Sequence, residues 1–261
     1  MTSAAQPAVH ERDFVTSLAR GLEVLRAFGA DTPVMTLSEV AARTGLTRAG
    51  ARRFLLTLVE LGYVYKNGRQ FRLTPKVLAL GYAYLSSMPL PQQAQPFLEE
   101  ITAATNESCS LAVLDGADIV YLARSPARRI LMVGIQVGTR LPAHATSMGR
   151  VLLADLEPPD LDRYLRGARL ERRTRHTLTD PERLESELAR VRRQNYAIID
   201  QELEEGVRSI AVPVRDPGSG RVVAAINIST NVAAVPKERL VKEFLPVLQG
   251  AAARISAGIP R

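Results

Sequence analysis

A single cysteine, Cys109, stands among 261 residues, so no internal disulfide can form, and the chain suits a reducing compartment. No apolar run approaches the roughly 20 residues that span a bilayer. The first residues, Met1 to Glu11, lack the charged and then apolar layout of a signal peptide. The three histidines, His10, His144 and His176, are isolated, and neither an HExxH motif nor a CxxC pair exists, which leaves no metal signature. Phosphate-loop and dinucleotide signatures, internal repeats and low-complexity stretches are missing too. A cytoplasmic protein with no membrane partner, metal or cofactor is expected. Disorder of the whole chain is excluded, because 46% of its residues are hydrophobic and the mean hydropathy is −0.02. The length allows one large domain or two ordinary ones.

Charge is unevenly spread. The net charge is +7; residues 1–75 hold 10 basic and 6 acidic residues, against 24 and 21 in the rest. Per residue the N-terminal third is more than three times as basic, which points that segment toward a polyanion.

Residues 1–13 read as a frayed tail. A helical pattern follows over 17–28, with Leu18, Leu22, Leu25 and Phe28 as its stripe. Thr36-Leu37-Ser38-Glu39 has the form of a capping box and opens a second helix, which Gly45 stops. Thr47 caps a third helix with the stripe Phe54, Leu55, Leu58 and Leu61, ended by Gly62. Two β-rich runs then flank Asn67-Gly68, a pair suited to a type I′ hairpin turn. Thr74-Pro75 opens a linker helix over 75–90 with Val77, Leu78, Leu80, Gly81, Tyr84 and Leu85 apolar, and Met88-Pro89-Leu90-Pro91 ends it. The winged-helix domain is thus expected over 14–74 and a second domain over 91–261.

The second segment has a different grammar. After a helix over 95–105 come strands at 109–114 and 119–124 about an Asp115-Gly116 turn, and a third strand at 130–137. Helices at 146–155, 160–166 and 181–195 precede strands at 196–200, 209–215 and 222–229, and Pro236 starts a closing helix. Hairpins outnumber βαβ units, so an α+β domain with a mainly antiparallel sheet and flanking helices is expected.

Three short helices followed by a hairpin describe a winged helix-turn-helix. Burial of the third helix's apolar stripe turns its N-terminal face outward. That face carries Thr47, Arg48, Ala49, Arg52 and Arg53, at the end of a helix that fits the major groove. Arginine can take guanine through two hydrogen bonds, and Arg69 and Arg72 on the hairpin would touch phosphates or the minor groove. Double-stranded operator DNA is the expected partner.

The segments SLARGLEVLRAF, LSEVAARTGLTRAGARRFLLTLVELGYV, FRLTPKVLALGYAYLSS, VGTRLPAHATSMGRVLLA and DQELEEGVRSIAVPV resemble the IclR family of bacterial transcriptional regulators. More narrowly they resemble its aromatic-catabolism subgroup of the β-ketoadipate pathway, the PcaR, PcaU, PobR and CatR types. The resemblance implies a winged helix, a linker helix and a GAF/PAS-like effector-binding domain. It also implies dimers, often paired into tetramers, on palindromic operators, with RNA polymerase a further partner. By matched motif it places Ser147 and Met148 of TSMGR, Asp200 of DQELEEG, Ser209 of GVRS, and Asn227 and Ser229 of AAINIS at the effector pocket. His144 departs from many relatives, and a pocket role for it is an added expectation.

The residues themselves fit a small anion. Thr146, Ser147 and the amides near Met148 and Gly149 lie at a helix N-terminus, where free donors and the dipole favour a carboxylate. Arg124 could pair a carboxylate through its two-pronged guanidinium. The expected effector is a small carboxylate of the protocatechuate, cis,cis-muconate, β-ketoadipate or 4-hydroxybenzoate class. Asp200 and Glu202 would repel it unless paired, for instance by Arg208. The competing enzyme reading takes Ala145-Thr146-Ser147-Met148-Gly149 as a nucleophile elbow of a hydrolase. Only His176 follows Ser147, and β/α alternation is lacking, so no catalytic residue is expected.

Overall fold

The structure is a computed structural model that describes residues 13–127 and 134–259. The chain divides between Ser87 and Met88 into two compact units.

In the first unit local capping chemistry sets the helix starts. The Thr36 side chain accepts from the Glu39 amide while the Glu39 carboxylate accepts from the Thr36 amide, a reciprocal box that opens α2 (Leu37–Thr44). Gly45 then adopts a φ of +65°, which a side chain would resist, and reverses the chain. Thr47 caps α3 (Arg48–Glu60) by accepting from the Gly50 amide at 3.1 Å. With α1 (Thr16–Arg26), these helices bury Val24, Phe28, Met35, Val40, Ala51, Leu55 and Leu58 in one core, closed by Val64 and Phe71 of the wing. The wing is β2 (Val64–Asn67) and β3 (Gln70–Leu73), joined on β3's other side by the two-residue β1 (Met35–Thr36).

Three expectations are corrected here. Asn67 pairs with Gln70, so the turn's central residues are Gly68 and Arg69, with positive φ only at Gly68. That is the pattern of a type II′ turn, which needs glycine at its first central position, and Asn67 belongs to the strand. On α1 and the turn after it the buried residues are Val24, Ala27 and Phe28, whereas Leu18 and Leu22 are 63% and 48% exposed. The helix has two apolar stripes, and the unit's core uses only one. The linker begins as a 3₁₀ turn (Pro75–Val77) and continues as α4 (Leu78–Ser87), an uncharged helix with no buried residue.

The second unit opens with α5 (Pro89–Thr105). Pro89 and Pro91, expected to end the preceding helix, start this one, because the first turn of a helix has no use for the missing N–H. A six-stranded sheet follows: β4 (Ser108–Asp115), β5 (Asp118–Ser125), β6 (Arg140–Pro142), β7 (Ala197–Asp200), β8 (Val207–Arg215) and β9 (Val222–Asn231). Its order is β6-β5-β4-β9-β8-β7, and every neighbouring pair is antiparallel. Of the strand expected at 130–137, residues 130–133 lie outside the described residues. Residues 134–137 form no strand; Gly134 and Gly138 have positive φ, and extended pairing resumes only at Arg140.

Helix α6 (Ser147–Ala154) lies on one face of this sheet, backed by α8 (Pro181–Gln194), with α7 (Pro158–Gly167) between them in sequence. The sheet residues in this cluster are mostly small, Ala112, Ala197, Ala211 and Ala225, and they admit Met148, Leu152 and Leu153 of α6 to close range. Helix α5 and the closing helix cover the other face. The closing helix runs through α9 (Lys237–Arg239), a π segment (Leu240–Phe244) and α10 (Leu245–Ala257).

Candidate DNA-binding and effector sites

Burial of Ala51, Leu55 and Leu58 leaves the opposite side of α3's first turns in solvent. Thr47, Arg48, Ala49, Arg52 and Arg53 are all exposed on it. Arg48, Arg52 and Arg53 make no ion pair among the described residues, so their guanidinium donors are free for an outside acceptor. Arg69 sits at the tip of the wing, also exposed and unpaired. Arg72 lies 4.9 Å from the centre of the Tyr65 ring, a stacking that holds its cation over the wing surface.

Strand register builds the second site. Ser110 stands opposite Arg124 on one side and Asn227 on the other; one pleat away Ser108 faces Ser229, which faces Ser209. Six polar side chains from four strands therefore share one patch of the α6 face. The N-terminus of α6 closes over it: Ser209 donates to the Ser147 hydroxyl at 2.9 Å, and Thr146 caps the helix by accepting from the Gly149 amide. Between them is a cavity of about 40 Å³, also lined by Tyr121, Ile135, Ile199, Leu203, Glu204 and Val207. Such a space holds a few waters.

Its electrostatics favour an anion. Arg124 spends one terminal nitrogen on the Ile135 carbonyl, at 2.6 Å, and its buried Nε has no partner. Burial lowers its pKa from the ordinary arginine value, with Tyr121 opposing, yet a guanidinium keeps its charge. Burial pushes the Tyr121 phenol up to about 12, so it stays a neutral donor beside that cation. Asn227 Oδ1 is likewise buried without a partner.

Residues 17–68 match the IclR helix-turn-helix domain, and residues 82–257 match the C-terminal domain of the bacterial transcriptional regulator IclR. The chain belongs to the IclR family. It is 49% identical over 240 residues to the Pca regulon regulatory protein of Pseudomonas putida, covering 92% of this chain and 82% of that one. A transcriptional regulator from Rhodococcus sp. RHA1 shares 52% identity and superposes with a TM-score of 0.81, over 94% of this chain and 98% of that one. An IclR homologue from Microbacterium hydrocarbonoxydans, solved in complex with 4-hydroxybenzoate, is 28% identical with a TM-score of 0.79, over 92% and 98% of the two chains.

Within this IclR-family chain the structure brings Arg124, Thr146, Ser147, Ser209, Asn227 and Ser229 to one cavity and leaves three expected residues out of its lining. Met148 is fully buried in the core beneath α6. His144 is buried too, with its Nε2 on the Glu171 carbonyl at 3.1 Å. Asp200 is held by Arg208 through two bonds of 3.0 Å. Ser147, expected on the enzyme reading to be a nucleophile, has among the described residues only Ser209 as its hydroxyl partner, and the family is one of regulators. Four residues escaped the reading of the sequence. Ser108 and Ser110 carry a weak signal, the small polar alternation about Cys109. Tyr121 carries none: strict alternation puts it opposite to Arg124, but a β-bulge between Ala123 and Tyr121 brings both to one face. Arg150 is the largest omission. It is 3% exposed, donates to the His144 carbonyl at 3.0 Å, and pairs with Glu202, so it ties the start of α6 to the loop after β7.

Proposed function

We propose that this IclR-family regulator governs an aromatic-catabolism operon of the β-ketoadipate type and responds to a small carboxylate lodged in the cavity beneath α6. The observation that carries the reading is the pair of unpartnered buried polar atoms, Arg124 Nε and Asn227 Oδ1, both on residues that line the cavity. Buried polar groups are ordinarily satisfied, and a ligand that supplies the missing bonds gains what the empty fold forgoes. A carboxylate answers Arg124 and the amides at the α6 N-terminus, with the Tyr121 phenol as a neutral donor; Asn227 meets the ligand's far end. The Pca regulon relative and the homologue bound to 4-hydroxybenzoate support the same class.

At the other unit, two α3 helices of a dimer enter successive major grooves of a pseudo-palindrome, reading bases through Arg48, Arg52 and Arg53 with Arg69 and Arg72 on the backbone. The dimer contact uses α4 and the free stripe of α1, where Leu78, Tyr82, Leu18 and Leu22 would otherwise stay in water. Effector binding alters transcription by favouring one dimer arrangement, with coupling of about 1–3 kcal/mol.

Thermal melting with protocatechuate, cis,cis-muconate, β-ketoadipate and 4-hydroxybenzoate tests the cavity. One of them at a hundredfold excess over its Kd should stabilise the fold by about 2.7 kcal/mol, and Arg124→Met should abolish that shift. No shift from any of the four at millimolar concentration rejects the effector class. Replacing Arg52 with alanine should weaken operator binding by about 1–3 kcal/mol; unchanged affinity removes it from the interface.

A further inference from the structure

The stretch after α7, from Arg169 to His176, holds four arginines, Arg169, Arg172, Arg173 and Arg175, against one carboxylate, Glu171. All five side chains are exposed. On α7 itself, Arg163 and Arg166 are matched with Asp160 and Asp162 at 2.6 and 2.8 Å. The loop's cations are not matched in this way. Among the described residues Arg172 reaches only the Thr179 hydroxyl, at 3.2 Å, and Arg175 donates to His176 Nε2 at 3.1 Å and stands 3.7 Å from Glu205. Arg169 and Arg173 have no side-chain partner among the described residues.

Crowded like charges repel, and a loop that served only as a solvated connection would have nothing to oppose that repulsion. This loop is instead pinned from beneath. The amides of Arg173 and Thr174 donate to the Thr177 hydroxyl at 3.0 and 2.8 Å, and that hydroxyl donates to the Glu202 carbonyl at 2.6 Å. The Thr174 hydroxyl donates to the Gln201 carbonyl at 2.7 Å, and the Leu178 amide to the Glu202 carboxylate at 3.0 Å. Glu202 is itself held by buried Arg150. Leu170 and Leu178 pack inward against the core, so the outer surface offers cations on a pinned backbone and no apolar anchor.

We propose that this loop is a second DNA contact, docking on phosphates of the duplex that flanks the operator. An interface with another protein draws on an apolar core, which this surface lacks. A guanidinium matches phosphate oxygens two at a time. The helix-turn-helix unit tethers the same chain to a duplex, which raises the local concentration of phosphate around the loop. The inference rests on operator binding by that unit.

The test compares two duplexes from the protein's own promoter, the bare operator and the operator extended by about two helical turns on each side, roughly 20 base pairs. Affinity is measured from 50 to 200 mM salt. Each phosphate contact steepens the log–log slope by about 0.9, so three contacts from one loop make the long duplex lose about fortyfold more affinity than the short one over this range. The triple variant R169A/R172A/R173A should erase that extra loss while leaving affinity for the short duplex and the melting temperature unchanged. If the triple variant melts early, R169Q/R173Q, which touches only the two unpartnered side chains, should still remove about two thirds of the slope difference. Equal slopes for wild type and variant on the long duplex overturn the proposal while operator binding stands; failure of the wild type to bind either duplex strikes down both.

Discussion

Gly149 is the third residue of α6, where alanine in place of glycine would ordinarily gain about 0.5–1 kcal/mol of helix stability. The surroundings reverse that sign. A Cβ at Gly149 would lie 2.1 Å from the Ala143 carbonyl oxygen and 2.4 Å from its Cα. Both partners are backbone, and that carbonyl already accepts from the Thr146 amide and hydroxyl, each at 3.3 Å, so the turn has little room to retreat. Overpacking costs about 1–3 kcal/mol, occasionally more, and a backbone clash of this depth belongs at the upper end. Net of propensity, Gly149→Ala should lose about 2 kcal/mol or more, lowering the melting temperature by at least about 4–8 °C for a unit of this size. Gly250 in α10 is the control. No heavy atom lies within 4 Å of its added Cβ, so Gly250→Ala should raise stability by about 0.5–1 kcal/mol. Calorimetric melting of the two variants reads the contrast. A Gly149→Ala protein as stable as the wild type would refute the close seating of α6 on the turn at 143–145, and with it the roof of the cavity beneath α6.

Arg150→Ala should cost about 3–5 kcal/mol in urea unfolding, because it strands the Glu202 carboxylate in a mostly buried site; adding Glu202→Gln should recover part of that loss, and strict additivity would refute the pairing. His144 predicts a pH dependence. Burial lowers its pKa from the ordinary value near 6.5, against the Glu171 carbonyl, which raises it. The folded chain thus holds His144 neutral where the unfolded chain takes up a proton. Its contribution is full above about pH 7 and is lost as pH falls through the ordinary histidine range, so melting temperature should drop toward pH 5. His144→Gln, which keeps a donor for Glu171, should flatten that decline; an unchanged profile would remove His144 as its source.

What was legible in the sequence was local. The Thr36–Glu39 box, the Gly45 turn and the Thr47 cap each join residues no more than three or four apart, and all three form as their chemistry requires. The outward arginines of α3 follow from the same fact, since burial of Ala51, Leu55 and Leu58 leaves Arg48, Arg52 and Arg53 only one direction to point. The hairpin was legible as a hairpin, yet its turn was displaced by one residue, because β2–β3 pairing across the strands chose Gly68-Arg69 over Asn67-Gly68.

The cavity beneath α6 lay mostly beyond local reach. The matched motifs named Ser147, Ser209, Asn227 and Ser229, but only the register of β4, β5, β8 and β9 sets them beside Ser108, Ser110 and Arg124. Tyr121 joins through a bulge that breaks the two-residue period on which any reading of a strand depends. His144, Met148 and Asp200 stood next to cavity residues in the chain but turned away, claimed by the Glu171 carbonyl, the apolar core and Arg208. Capping and turn preference act within a few residues, so the chain alone settles where α2 and α3 start and where α2 stops. Which side chains meet across four strands is settled by pairing between residues as many as 121 positions apart, Ser108 and Ser229, and that information exists only in the folded sheet.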